Sequence, residues 1–187
     1  MQSGYFDDKA REYVITRPDT PLLWINYLGS RDCFSLISNT GGGYCFDKDA
    51  RLRRITRYRC NNAPLDMGGR CLYLRDDENG RHWSVGWMPE LSQQDAHECC
   101  HGLGDTRIQS KSMGIDARVR FFVPLDAPKE IWDLTLRNQR ETPAEISLFS
   151  AFQLSPARKL MLKYGWACRR LSVAAVRRVG TRPEMAE

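Results

Sequence analysis

The residues best suited to chemistry lie between His97 and His101, where His-Glu-Cys-Cys-His places two imidazoles and two thiols in one short run. Such donors suit zinc, but a zinc site usually takes ligand pairs two to four residues apart and a second pair from elsewhere. Adjacent Cys99 and Cys100 do not readily turn to one tetrahedral ion, so the competing reading is a core or loop role, and no metal is expected. Nucleophilic catalysis has less support. No serine stands in a Gly-x-Ser-x-Gly elbow, and no cysteine has a protease-type flank. Gly41-Gly42-Gly43 lacks the Lys-Ser/Thr of a phosphate loop, and Gly102-Leu103-Gly104 runs into Asp105-Thr106-Arg107, so both read as turns. Asp7, Asp8, Asp76, Asp77 and Glu78 stand in polar, turn-like runs, where solvation is commoner than a raised pKa. Trp83, Trp87 and Trp132 have flat faces that can stack on sugar rings, yet their alternating spacing favours a core role. The residues by themselves therefore assign no catalytic group, no substrate contact and no metal ligand.

The elements that would have to position any site are strands. Trp83, Val85 and Trp87 alternate with His82, Ser84 and Gly86, a period of two that puts three large apolar groups on one face. Asp76-Asp77-Glu78-Asn79-Gly80 is turn chemistry, so Leu72–Arg75 and His82–Trp87 are expected to pair as a hairpin. Asn61-Asn62-Ala63-Pro64 and Met67-Gly68-Gly69 frame a loop before it. Upstream, Arg11–Ile15 reads as a strand ended by Pro18 and Pro21, Leu22–Gly29 is an apolar run, and Phe34–Ile37 and Tyr44–Phe46 flank a glycine turn. Downstream, Thr106–Ser110, Ile115–Phe121, the Trp132, Leu134, Leu136 face and Ala144–Phe152 continue the pattern. Short alternating runs between turn clusters, with no amphipathic helix before Leu154, predict an all-β, antiparallel β-sandwich. Its span would be residues 1–154, followed by a basic tail over 155–187.

A chain of 187 residues with 42% apolar content is long enough for one good core. The net charge of +5 is unevenly placed: from Ser155 onward eight Lys or Arg face two Glu, a local +6 that leaves the first 154 residues at −1. The body thus gives no electrostatic case for nucleic acid. The tail from Ala157 to Val179 reads either as a basic helix able to lie on an acidic partner or membrane surface, or as a solvated, disordered extension. No secretory or membrane-spanning segment is visible, which makes the cytoplasm the expected location and membrane association unexpected. In that reducing compartment the seven cysteines (33, 45, 60, 71, 99, 100 and 168) read as small buried hydrophobes.

The wording of the chain adds more than its periodicity. Tyr5-Phe6-Asp7-Asp8, Arg11 through Thr16, Pro21 with Trp24 through Gly29, Gly42-Gly43-Tyr44, Arg53 through Arg59, Gly68-Gly69-Arg70 and His101-Gly102-Leu103-Gly104 together resemble the N-terminus of cellobiose phosphorylase and related disaccharide phosphorylases. The resemblance covers roughly Gly4 to Phe152, and Asn61-Asn62 with Gly68-Gly69-Arg70 lean to the cellobiose branch. It implies a galactose-mutarotase-like super-β-sandwich, incomplete here, which in the family precedes a helical linker and an (α/α)6 barrel. It also implies carbohydrate metabolism by inverting phosphorolysis, in which an acid carboxyl protonates the leaving oxygen and inorganic phosphate, a co-substrate, attacks the anomeric carbon. No further cofactor is implied. Those groups belong to the barrel, and the family's Gln-Arg motif that reaches a neighbouring subunit has no match in Gln153-Leu154-Ser155-Pro156-Ala157-Arg158. No active-site residue is carried over, and Cys60, Cys71 and Cys100 replace Tyr, Tyr and Arg expected from relatives. The expectation is a truncated sandwich domain, inactive alone, whose change of composition after Phe152 fits an out-of-frame or rearranged 3′ end. The alternative is a non-catalytic carbohydrate-binding or subunit-assembly module. Self-association, or a separate chain supplying the barrel, would cover a cut sandwich.

Overall fold

The computed structural model describes residues 2–58 and 69–155. They hold twelve strands, and no helix occurs among them. In order these are β1 (Gly4–Asp7), β2 (Glu12–Ile15), β3 (Ile25–Ser30), β4 (Cys33–Ser38), β5 (Gly43–Asp47), β6 (Arg70–Asp76), β7 (His82–Ser84), β8 (Ala96–His101), β9 (Asp105–Ser112), β10 (Ile115–Phe122), β11 (Ile131–Asn138) and β12 (Ile146–Phe152). Every pairing is antiparallel. A six-stranded sheet runs β1-β2-β8-β9-β10-β11, and two three-stranded sheets, β12-β6-β7 and β3-β4-β5, complete the fold. One apolar cluster draws on all three: Ile15, Cys99, Ile108 and Val119 from the long sheet, Leu74 and Trp83 from the second, Ile37 and Cys45 from the third. This is the expected all-β sandwich. The loop expected around Asn61 to Met67 and the tail from Pro156 lie outside the described residues, as do Cys60 and Cys168.

Period-two alternation explains the inner face of the long sheet. Register sets Ile15 beside Cys99, Cys99 beside Ile108, Ile108 beside Val119 and Val119 beside Leu134, one apolar row across five strands. A neighbouring row runs Tyr13, His101, Thr106, Phe121, Trp132. Each large apolar side chain so buried contributes roughly 1.5–3 kcal/mol, and a one-residue slip in any strand would turn its share outward.

The expected hairpin is present: β6 and β7 pair through Tyr73–Ser84, Leu74–Trp83 and Arg75–His82. Gly80 adopts φ of +72°, the left-handed conformation that closes the turn. Asp76 beneath it is fully buried; its carboxylate accepts from the Glu78 amide (3.1 Å), Asn79 Nδ2 (3.1 Å) and Arg140 Nη2 (2.6 Å). The second strand stops earlier than alternation suggests. Trp87 has φ of +76°, and Gly86 passes so close to the Thr40 carbonyl that a Cβ would lie 2.2 Å from its oxygen. The chain must leave the sheet there.

The glycine turn between β4 and β5 is not a surface loop. Residues Ser38 to Gly43 are all buried, so their backbone groups need internal partners. Ser38 Oγ accepts from the Gly42 amide (2.8 Å) and the Thr40 amide (3.3 Å), while the Gly41 amide donates to the Ser38 carbonyl (3.0 Å). Asn39 ties in the lead to β3, its amide donating to the Trp24 carbonyl (2.9 Å) and its Oδ1 accepting from the Trp24 amide (3.1 Å). That lead and β3 itself are less buried than their apolar wording implies, since Leu22, Trp24, Ile25 and Tyr27 are exposed. No helix among the described residues is long and apolar enough to cross a membrane.

Candidate functional site

The Cys-His run forms β8, a strand that its polar wording concealed. Successive side chains point to opposite faces, so His97, Cys99 and His101 turn to the core while Glu98 and Cys100 turn away. His97 Nδ1 lies 3.0 Å from Gln94 Oε1 and Nε2 lies 3.3 Å from the Asn39 carbonyl. Burial pushes its pKa down to about 4, against the opposing pull of that carbonyl. The ring is neutral at pH 7, and its single N–H serves one of the two oxygens. Burial likewise pushes the Cys99 thiol up, and Cys100 up to about 11. Thiols held protonated are poor ligands and poor nucleophiles. Among the described residues no three His, Cys, Asp or Glu side chains gather as a metal-binding group.

The tryptophans divide. Trp83 is fully buried, Trp132 packs half-buried against the core, and Trp87 leaves its strand. Trp24 is exposed and stacked on Tyr13, with ring centres 4.6 Å apart. The five described cysteines are free, and Cys33 and Cys45 bring their sulfurs to 3.8 Å inside the core.

Two charged clusters were not foreseen. The first is internal: Arg70 and Glu130, with side chains 1% and 7% exposed, form an ion pair at 3.0 Å. Glu130 also accepts from Ser35 Oγ and Trp132 Nε1, and Arg70 Nη2 donates to the Leu36 carbonyl (3.1 Å). The network joins all three sheets. The second lies on the solvent face of the long sheet, where a groove of about 360 Å³ is lined by Glu12, Asp105, Arg107, Arg118, Arg120, Asp133 and Thr135. Arg107 pairs with Glu12, and Arg120 Nε pairs with Asp105 at 2.5 Å. Arg118 donates Nε and Nη2 to Gln109 Oε1, at 3.3 and 2.7 Å. The sequence signal for this groove was the charged alternate of each strand, which by itself is indistinguishable from an ordinary wet sheet face.

Comparison with known proteins decides the family. The description "Glycosyl hydrolase 94, supersandwich domain" matches residues 11–160. The chain belongs to the glycosyl hydrolase 94 supersandwich family. This supersandwich is 41% identical over 157 residues to an N,N'-diacetylchitobiose phosphorylase of Vibrio proteolyticus, covering 83% of this chain and 20% of that protein. It is 42% identical over 151 residues to a 3-O-beta-D-glucopyranosyl-beta-D-glucuronide phosphorylase of Paenibacillus borealis, covering 81% and 18%, and 34% identical over 157 residues to a solabiose phosphorylase of the same organism, covering 81% and 20%. The chain thus spans about a fifth of the length of these relatives. In this glycosyl hydrolase 94 supersandwich the buried carboxylate Asp76 moves away from acid catalysis: burial pushes its pKa up, but Arg140 and the turn donors pull it further down, to a net lowering. A general acid at neutral pH needs the opposite shift.

Proposed function

We propose that this chain is the supersandwich portion of an inverting disaccharide phosphorylase of the cellobiose type, a scaffold in carbohydrate metabolism that is inactive without a catalytic domain supplied outside these residues. One observation carries the reading: a family match across most of the chain to relatives named as phosphorylases, of which the chain covers only about a fifth. The four-fifths of those relatives outside the match is where an acid to protonate the glycosidic oxygen and a phosphate site would reside. The downward shift of Asp76 supports that division. The cellobiose assignment draws on Asn61-Asn62 and Gly68-Gly69-Arg70, whereas the relatives' names carry other sugars. A cytoplasmic location belongs to the same proposal.

The test is phosphate-dependent release of sugar phosphate, measured with cellobiose, N,N'-diacetylchitobiose and solabiose. The purified chain should release none. Exchanged for the matching segment of the Vibrio proteolyticus enzyme, residues 11–155 should support turnover. Turnover by the chain alone would place an acid within it, and a folded but inactive chimera would overturn the scaffold role.

A further inference from the structure

The groove on the solvent face of the long sheet has unequal internal pairing. Its three guanidinium groups and three carboxylates balance in charge, but only two ion pairs form, Arg107 with Glu12 and Arg120 with Asp105. In the β10–β11 register Asp133 stands directly opposite Arg120 and Thr135 directly opposite Arg118. Arg120 nevertheless turns its Nε to Asp105. The side chains of Asp133 and Thr135 are left exposed, with no hydrogen bond or ion pair among the described residues. Arg118 spends two N–H groups on the neutral Gln109 amide and meets no carboxylate among the described residues. The groove thus presents a free carboxylate, a free hydroxyl and a partly free guanidinium side by side on adjacent strands. Asp133 and Thr135 are two residues apart on one face, about 7 Å of strand.

The charge pattern selects the ligand. A phosphate or uronate would meet three carboxylates as well as the guanidiniums, and a cation would meet three guanidiniums. A neutral molecule rich in hydroxyls satisfies both, because a carboxylate only accepts hydrogen bonds, a guanidinium only donates, and a sugar hydroxyl does either. Bonds to ionised partners are the stronger kind, and both ends of this site supply one. The volume is near the lower end of the roughly 300–1,000 Å³ range of small-molecule clefts, and its polar lining excludes an apolar occupant.

We propose that this groove binds a neutral saccharide, with Asp133 accepting from adjacent hydroxyls, Arg118 donating to sugar oxygens and Thr135 bridging between them. The choice of a saccharide among neutral polyols rests on the phosphorylase reading; the preference for a neutral, hydroxyl-rich ligand rests on the groove alone.

The test is titration of the full 187-residue chain with glucose, cellobiose and glucose 1-phosphate, read by amide chemical shifts, with circular dichroism to confirm folding. Cellobiose should bind saturably with Kd on the order of millimolar, as befits a shallow hydrogen-bonding site. Asp133→Ala and Arg118→Ala should each weaken it about tenfold or more, the control Asp126→Ala, exposed and not among the groove's lining residues, should not, and glucose 1-phosphate should bind no tighter than glucose. Absence of saturable sugar binding by the folded chain, indifference to both groove substitutions, or tighter binding of glucose 1-phosphate would each overturn the proposal. A groove that instead receives polypeptide from the rest of a phosphorylase gives the first of these results. Sugar binding alongside an inactive, folded chimera would sink the phosphorylase reading and leave the groove standing; an active chimera with no sugar binding would do the reverse.

Discussion

Replacing Glu130 by alanine strikes the point where the three sheets share one charged network. The substitution removes the carboxylate that faces Arg70 at 3.0 Å, and Arg70 has only 1% of its side chain exposed, so the guanidinium would stay buried with that carboxylate gone. It also deprives Ser35 Oγ and Trp132 Nε1 of their acceptor. Removing one partner of a buried pair costs about 3–5 kcal/mol. Orphaned neutral donors cost about 1–3 kcal/mol each where no water reaches them, and relaxation around the vacated site makes these contributions less than additive. An expected loss of about 4 kcal/mol is a large part of the roughly 5–15 kcal/mol that holds a domain together. Replacing both charges, Arg70→Met with Glu130→Leu, should restore part of that loss, because an apolar pair avoids the desolvation of two ions, while Ser35 Oγ and Trp132 Nε1 stay without their acceptor. Urea unfolding followed by tryptophan fluorescence and circular dichroism measures all variants. A loss below about 1 kcal/mol for Glu130→Ala, or a double variant no more stable than Glu130→Ala, would refute the reasoning.

The remaining predictions concern the turns and the acid limb. Asp76 has its folded pKa lowered, so its contribution to stability is complete above the unfolded carboxyl value near 4 and is lost as pH falls through the folded value. Denaturation midpoints should therefore drop on acidification below about pH 4, and Asp76→Asn, at a cost of about 3 kcal/mol at pH 7, should flatten that part of the profile. Gly43→Ala should destabilise by several kcal/mol or prevent folding, since φ is +104° and a Cβ would lie 2.0 Å from the Leu36 carbonyl oxygen. Gly80→Ala, at φ of +72° with nothing within 4 Å, should cost only the left-handed penalty of about 1–2 kcal/mol. Thermal melts of the two variants should separate accordingly.

What could be read from the residue order depended on how local the signal was. The β6–β7 hairpin was legible because its turn and its alternation are contiguous, and β9, β10 and β11 because apolar and polar residues alternate within each. The strand β8 was hidden because its inward residues are His97, Cys99 and His101 rather than large aliphatics, and β1 because Tyr5 and Phe6 are both exposed. Trp87 broke its own pattern for a reason found about forty-five residues earlier, in the Thr40 carbonyl that crowds Gly86. The groove and the Arg70–Glu130 network were illegible for the same reason. The groove is assembled by sheet register, which sets Glu12 of β2 beside residues of β9 to β11, and the network joins residues of different sheets that only their packing brings together. Family wording, by contrast, needs no register, so the supersandwich resemblance is legible in the residue order alone.

The order of strands in the long sheet also sets a timetable for synthesis. β2 cannot find its inner neighbour until β8 exists, because Ile15 pairs with Cys99, about 80 residues further on. At roughly 5–20 residues per second a ribosome takes about 4–17 s to cover that stretch, and throughout it the β1–β2 ribbon has an open edge. A nascent chain in that interval offers the open edge to pairing with another chain, and the exposure ends only once β8 has been made.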